Sequence, residues 1–237
     1  MIIGPFINAT AVLVGAVGGA TLASRLPDRL KSAMPLTFGG ASMAMGVVLI
    51  TRVSHMPVMV LSALLGALAG ELIFLEKGIG KVGSFAKGIV DGIAPAPKGL
   101  DHKEFLEKFV AILVLFCASG TGIFGSMNEG MTGDPSILIA KAFLDFFTAG
   151  IFATALGFSV ATIAVPLLGI QLLLAFGAVQ IMPLTTPAMI ADFSSVGGVL
   201  MLVTGLRICG IKVFPVGNML PALLFAMPIS AYWTRFF

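Results

Sequence analysis

The chain has 237 residues, of which 58% are hydrophobic and only 11% are charged, with a formal net charge of +3. A soluble domain carries about 25% charged residues, so this composition excludes an ordinary globular domain, and it is too apolar for disorder, a coiled coil or a nucleic-acid-binding face. What remains is an all-α polytopic transmembrane helix bundle, and at about 20 residues per crossing the length holds roughly seven to nine spans.

Eight spans are expected in chain order: residues 3–23, 33–50, 57–75, 109–124, 135–165, 166–182, 187–206 and 216–233. The first has no basic residue before Arg25, so it reads as a retained span rather than a signal peptide. The fifth is long, with Gly150 at its middle, and is either one tilted helix or two half-helices. Asp134-Pro135 and Thr186-Pro187 each place a capping oxygen before a proline, whose missing N–H costs nothing in a first helical turn. The whole of residues 1–237 reads as one integral-membrane domain. Its only long hydrophilic stretch is a linker at 76–108, whose Lys-rich part, 77–90, reads either as an amphipathic helix on anionic headgroups or as a solvated segment.

The basic residues test this path. Of the 14 Lys and Arg, one set of alternate connections holds eleven, from Arg25 through Lys108 to Lys212. The opposite connections hold only Arg52 and Arg235, and Lys141 falls within a span. The positive-inside rule puts the basic side in the cytoplasm and both termini outside. A weak repeat relates spans 2–3 to spans 7–8: the spacing from Phe38 to Arg52 recurs from Phe193 to Arg207. An offset of five spans would invert the second copy, an arrangement common in secondary transporters. Cys117 and Cys209 read as free thiols with packing roles, since two cysteines make no disulfide framework.

Charged groups inside a bilayer cost about 2.5–3.5 kcal/mol each at helix centre on insertion scales, so those within spans are the first candidates for function. Lys141 and Asp145 are four residues apart on one helix face, where they form a structural pair, a relay or a gate. Glu71 lies near the end of the third span, within reach of headgroups or Lys77. Asp192 has no basic residue within a helical turn, and hydroxylated neighbours surround it, Ser194 and Ser195 among them. A locally broken helix there would hold a cation or a proton; the alternative is a solvated carboxylate capping its own helix. The glycine- and hydroxyl-rich stretch 119–134 is expected either to dip back into the membrane and present Asn128 and Glu129 to a solute, or to form an ordinary external loop. Asn8, Gln171 and Asn218 are amides suited to interhelical hydrogen bonding. Gly15/Gly19 and Gly66/Gly70 are close-packing pairs. There is no metal-ligand or hydrolase motif, so no metal, no cofactor and no enzymatic activity are expected.

Several long motifs then carry a resemblance. They are the opening from Ile3 to Ala9, the stretch from Cys117 to Gly125, Asn128 to Ser136, Asp145-Phe146-Phe147, Leu184 to Pro187, Asp192-Phe193-Ser194 and Gly205 to Gly210. The sequence resembles the YqgA/YdfK family of bacterial inner-membrane proteins over nearly its whole length. The resemblance implies a multi-pass protein of the inner membrane, some of whose relatives are called transporters. It supplies neither a substrate nor site residues.

The function expected is therefore secondary transport or facilitation of a small polar solute or ion, with cation or proton coupling. Asp192 and Glu129 would carry the ion. Asn8, Asn128, Ser194 and Ser195 would position the solute, and Lys141–Asp145 would act as relay or gate. The bilayer, the solute and a second copy of the chain, in a homo-oligomer such as a dimer, are the expected partners, and nucleic acid is not. A membrane scaffold or partner subunit and a selective channel are the alternatives. The transport expectation requires Asp192, Glu129 and Asn128 to share one hydrated chamber.

Overall fold

The computed structural model describes residues 1–23, 25, 27–85, 102–212 and 214–236, and among these every element is helical. The helices are α1 (Gly4–Leu22), α2 (Asp28–Ile50), α3 (Met56–Leu72), α4 (Leu75–Phe85), α5 (His102–Cys117), α6 (Gly120–Thr132), α7 (Ser136–Leu156), α8 (Ala164–Ile181), α9 (Pro187–Ile208), α10 (Val216–Met219) and α11 (Ala222–Phe236). The 3₁₀ turns Gly157–Ile163 and Met182–Leu184 lie between them.

Six segments are long and apolar enough to cross a membrane, or seven when α3 and α4, bent by 54°, count as a broken span. One of the six, Ser136–Leu184, has 49 residues. At 1.5 Å per residue that is about 73 Å, more than twice a hydrocarbon core of about 30 Å. The chain folds back at Gly157, whose positive φ of 67° ends α7 and is open to glycine at little cost. The segment therefore supplies two crossings, and the described residues make eight.

Helix directions follow from which residues meet. Gly4, Gly15 and Gly19 of α1 pack on Leu138, Phe146 and Gly150 of α7, so these two helices run parallel. Gly39 and Gly46 of α2 pack on Gly205 and Gly198 of α9, and Gly66 and Gly70 of α3 pack on Ala222 and Asn218, so those pairs run antiparallel. The two stretches related by the sequence repeat thus lie against each other with opposite polarity. The glycine pairs pack within one chain. At each, backbone meets backbone, which suits a bilayer, where packing and not water exclusion drives helix association.

Two hydrophobic cores result. One is built from α1, α5, α7, the Gly157–Ile163 turn and α8, around Val12, Phe105, Phe109 and Leu167. The other is built mainly from α2, α6, α9 and α11, around Phe124, Phe193, Leu200 and Ala226. The longer apolar side chains point outward to lipid, among them Leu64, Leu68, Phe143 and Leu173.

Three expectations change. The stretch 119–134 is not a loop: Ser119 caps α6 by accepting a hydrogen bond from the Gly122 N–H at 3.1 Å, and the helix is buried almost throughout. Its glycines serve close packing, Gly130 against Ala175 and Gly125 against Leu138. The fourth span accordingly ends at Thr132 and is broken at Ala118-Ser119. The eighth span is broken between Met219 and Ala222. The linker at 76–108 is helical at both ends, through Phe85 and from His102; the remainder of the segment proposed to lie on headgroups, 86–90, is outside the described residues.

The glycine packing makes a prediction. A methyl at Gly19 would collide with the Gly150 carbonyl, which is backbone and cannot yield, whereas one at Gly18 meets nothing within 4 Å. Gly19→Ala should lower stability by about 2 kcal/mol. Gly18→Ala should leave it unchanged or raise it by up to about 1 kcal/mol, since alanine favours helix. Thermal unfolding of the two variants in detergent compares them directly.

Candidate functional site

The break between α5 and α6 leaves the N-terminus of α6 inside the bundle. The first N–H groups of a helix have no intrahelical acceptor and carry a partial positive charge. Gly122, in this first turn, packs on the Lys141 side chain and faces the Gln171 amide. Lys141 pairs with Asp145 one turn along α7, and both are buried. Asp145 is nine residues into a helix of 21, close to the middle of the span. The Lys141 ammonium also lies 5.8 Å from the Phe116 ring centroid. Asn8 of α1 faces the Asp145 carboxylate without closing a full hydrogen bond. The amides of Asn8 and Gln171, 0% and 1% exposed, have no hydrogen-bond partner within the protein. Four helices thus bring two opposite charges, two unsatisfied amides and a helix N-terminus to one place.

A cavity of about 400 Å³ opens from this place along the seam between the two cores. Its polar lining includes Ser119, Thr121, Lys141, Asp145, Thr204 and Arg207, set among apolar walls. Pro35, Ile208 and Phe152 lie toward its far end, so it runs from mid-membrane toward the basic face. At that face a smaller cavity of about 140 Å³ shares Leu115, Ser119, Thr204 and Arg207 with it. Arg207 donates to Glu76 Oε1 at 2.7 Å and to the Phe214 carbonyl at 3.0 Å. Glu76 accepts from the Gly217 N–H at 3.1 Å, and its own N–H donates to Asn218 Oδ1 at 2.7 Å. α4, α9 and α10 are therefore tied together at the mouth.

The carboxylates expected to hold an ion are used differently. Glu129 accepts the backbone N–H groups of Ile3 and Gly4 at 2.7 and 2.9 Å and so caps the start of α1. Asp192, fully buried, accepts the N–H groups of Ser54 and His55 at 3.0 and 2.7 Å, pairs with His55 Nδ1 at 2.9 Å, and accepts the Ser230 hydroxyl at 2.6 Å. It ties α3, α9 and α11 together on the face opposite the basic one. Asn128 bonds locally, donating to Thr132 Oγ1 at 3.3 Å. Ser195 donates to the Asp192 carbonyl at 2.8 Å, and Ser194 is buried beside it. Asp192, Glu129 and Asn128 line no common cavity among the described residues, so transport through a chamber built on these three falls, and a transport reading has to rest on other residues. Of the residues singled out in the sequence, Asn8, Gln171, Lys141 and Asp145 are brought together. Ser119, Thr121, Thr204, Arg207 and Phe116 join them, and no local pattern marks Thr204 or Arg207, because α9 reaches the cavity through tertiary packing on α2 and α6. Glu71 is exposed at the end of α3. Among the described residues no cluster of His, Cys, Asp and Glu is arranged to hold a metal.

The family described as a protein of unknown function, DUF554, matches residues 3–231, and the chain belongs to this family. It is 60% identical over 237 residues to a protein of Escherichia coli K12 named YqgA, covering the whole of both chains. It is 28% identical over 230 residues to a membrane protein of Bacillus subtilis 168 named YdfK, covering 93% of this chain and 92% of that one. No solved structure matches the chain.

Two predictions concern the carboxylates outside the cavity. Asp192→Ala strips four hydrogen bonds from buried or half-buried donors and should destabilise the protein by about 3 kcal/mol, against about 1 kcal/mol for Ser230→Ala, in thermal unfolding. Asp134 lies in the loop before α7, where the Ser136 hydroxyl and then its N–H hold the carboxyl below its ordinary value of 3.8, with Arg52 adding to the effect. A carboxyl lowered on folding stabilises fully above its unfolded value and loses that contribution as pH falls through its folded value. Asp134→Ala should therefore lower Tm at pH 6, and the difference from the parent should shrink as pH is taken below 3.8.

Proposed function

We propose that the protein is a secondary transporter of a small polar solute, with the Lys141–Asp145 pair and the α6 N-terminus as its binding centre. One observation carries the reading: an ion pair near the middle of a span, at a break in a neighbouring helix, opens into a cavity of about 400 Å³. Charges are retained at that depth only against a substantial cost, and interrupted helices near the midplane are the usual way transporters expose helix ends to a solute. The cavity sits between the two cores, so a shift of one against the other changes access to it. On this reading Asp192 and Glu129 are closures of the far side and not ion sites. The repeat relating α2–α3 to α9–α11, antiparallel in the fold, is then a pair of inverted halves. The basic face lies in the cytoplasm, and the membrane is the bacterial inner membrane.

The far side is knitted by the Asp192 and Glu129 hydrogen bonds, which speaks against a continuously open pore. A scaffold needs no cavity at its charged centre.

Single-cysteine labelling tests the proposal. In a Cys117→Ala/Cys209→Ala background, Ile151→Cys places a thiol on the cavity wall. A membrane-impermeant maleimide should label it from the basic side only. Adding Asp192→Asn should raise labelling from the opposite side several-fold. Absence of labelling from either side, with and without Asp192→Asn, would overturn the proposal in favour of a scaffold. Equal labelling from both sides with Asp192 intact would overturn it in favour of a channel.

A further inference from the structure

The charge pattern of the cavity narrows the solute class. Lys141 and the N-terminus of α6 bring positive potential to the same point, and Asp145 balances only the lysine. An anionic group is the natural occupant beside Gly122. A lone anion, however, would draw Lys141 away from Asp145 and leave a carboxylate unpaired in a low-dielectric setting, which is costly. A lone cation would leave Lys141 unpaired in the same way. A ligand carrying both charged groups on one carbon satisfies the lysine and the aspartate together. Its carboxylate takes Lys141, in the positive field of the α6 N-terminus, and its ammonium takes Asp145.

The Gln171 amide fits this polarity. Gln171 Nε2 lies beside Gly122, at the anionic end, where it has hydrogen atoms to donate. Asn8 lies beside Asp145 at the cationic end, with its amide turned to the carboxylate as a donor. Gln171 is buried with no partner in the protein, a condition that native structures rarely leave unanswered. Beyond the charged end the walls are apolar, with Phe38, Leu115, Phe116 and Phe152 facing the space. The volume, about 400 Å³, is at the small end of the roughly 300–1,000 Å³ of small-molecule sites.

Resting on the transporter reading, we infer that the solute is a small zwitterion with an apolar substituent, the chemistry of an α-amino acid with an aliphatic or aromatic side chain. Binding exchanges one internal ion pair for two ion pairs between protein and ligand, with no net charge entering the membrane.

The test uses the purified full chain and thermal unfolding. The probes are L-leucine and L-phenylalanine, with 4-methylpentanoate as the acid alone, 3-methylbutylamine as the amine alone, and glycine as the zwitterion without the apolar group. Leucine or phenylalanine at about 100 times its Kd should raise Tm by roughly 5 °C, and the three controls at the same concentration by less than a fifth of that. The Lys141→Gln/Asp145→Asn pair should abolish the shift. Gln171→Leu, which removes an unsatisfied buried amide, should keep or raise the basal Tm while weakening the ligand shift; a purely structural glutamine would change the first and not the second. A control carrying one charge that matches leucine would overturn the zwitterion. So would a full shift in the double variant, or in Gln171→Leu. No shift from leucine or phenylalanine, with Ile151→Cys labelling still switching sides, would overturn the amino-acid class and leave transport standing; loss of both would overturn the two together.

Discussion

A lysine and an aspartate near the middle of a bilayer constrain everything around them. Neither ion is tolerated against lipid, and pairing them repays only part of the cost of removing both from water. The fold meets this by bringing dipoles and space to the pair. α5 stops at Cys117 and α6 begins afresh at Gly120, so the positive end of a helix, capped by Ser119, lies beside Lys141. The absence of side chains at Gly120 and Gly122 lets α9 and α7 approach that end closely. The cavity follows from the same arrangement, lying between the two cores where the ions sit.

The carboxylates elsewhere obey a different rule. Every helix start leaves N–H groups in need of an acceptor, and near a membrane surface water is an uncertain one. Glu129 supplies it for α1 and Asp192 for the turn leading into α3, each from a helix distant in the chain. Glu76 and Asn218 do the same on the basic face. Such caps join helix ends at both faces while the centre of the seam stays open.

The overall class was legible in the sequence because it rests on additive quantities: apolar content, span length and the placement of Lys and Arg. The eight crossings and their alternation follow from these, and the glycine pairs at 15/19 and 66/70 mark close approach as expected. The boundaries of broken helices were less legible. Residues 119–134 read as a loop by their glycines, yet in a bilayer glycine is a packing residue as much as a breaker, and Phe124 and Met131 anchor the segment in a core. The pairing of Lys141 with Asp145 was visible from spacing alone. The isolation of Asp192 was not a sign of function, because its partners come from Ser54, His55 and Ser230, far away in sequence, and no local pattern reports a long-range cap. Arg207 and Thr204 were invisible as cavity residues for the same reason.

The most direct measurement of the central claim is whether water reaches the Lys141–Asp145 pair. Hydroxyl-radical footprinting of the protein in a lipid nanodisc reports confined water residue by residue. Phe38, Phe152 and Leu144, on the cavity wall, should be modified several-fold faster than Phe193 and Leu200, buried in a core. Equal protection of all five would mean that the pair is sealed in a dry interior, and would contradict the account.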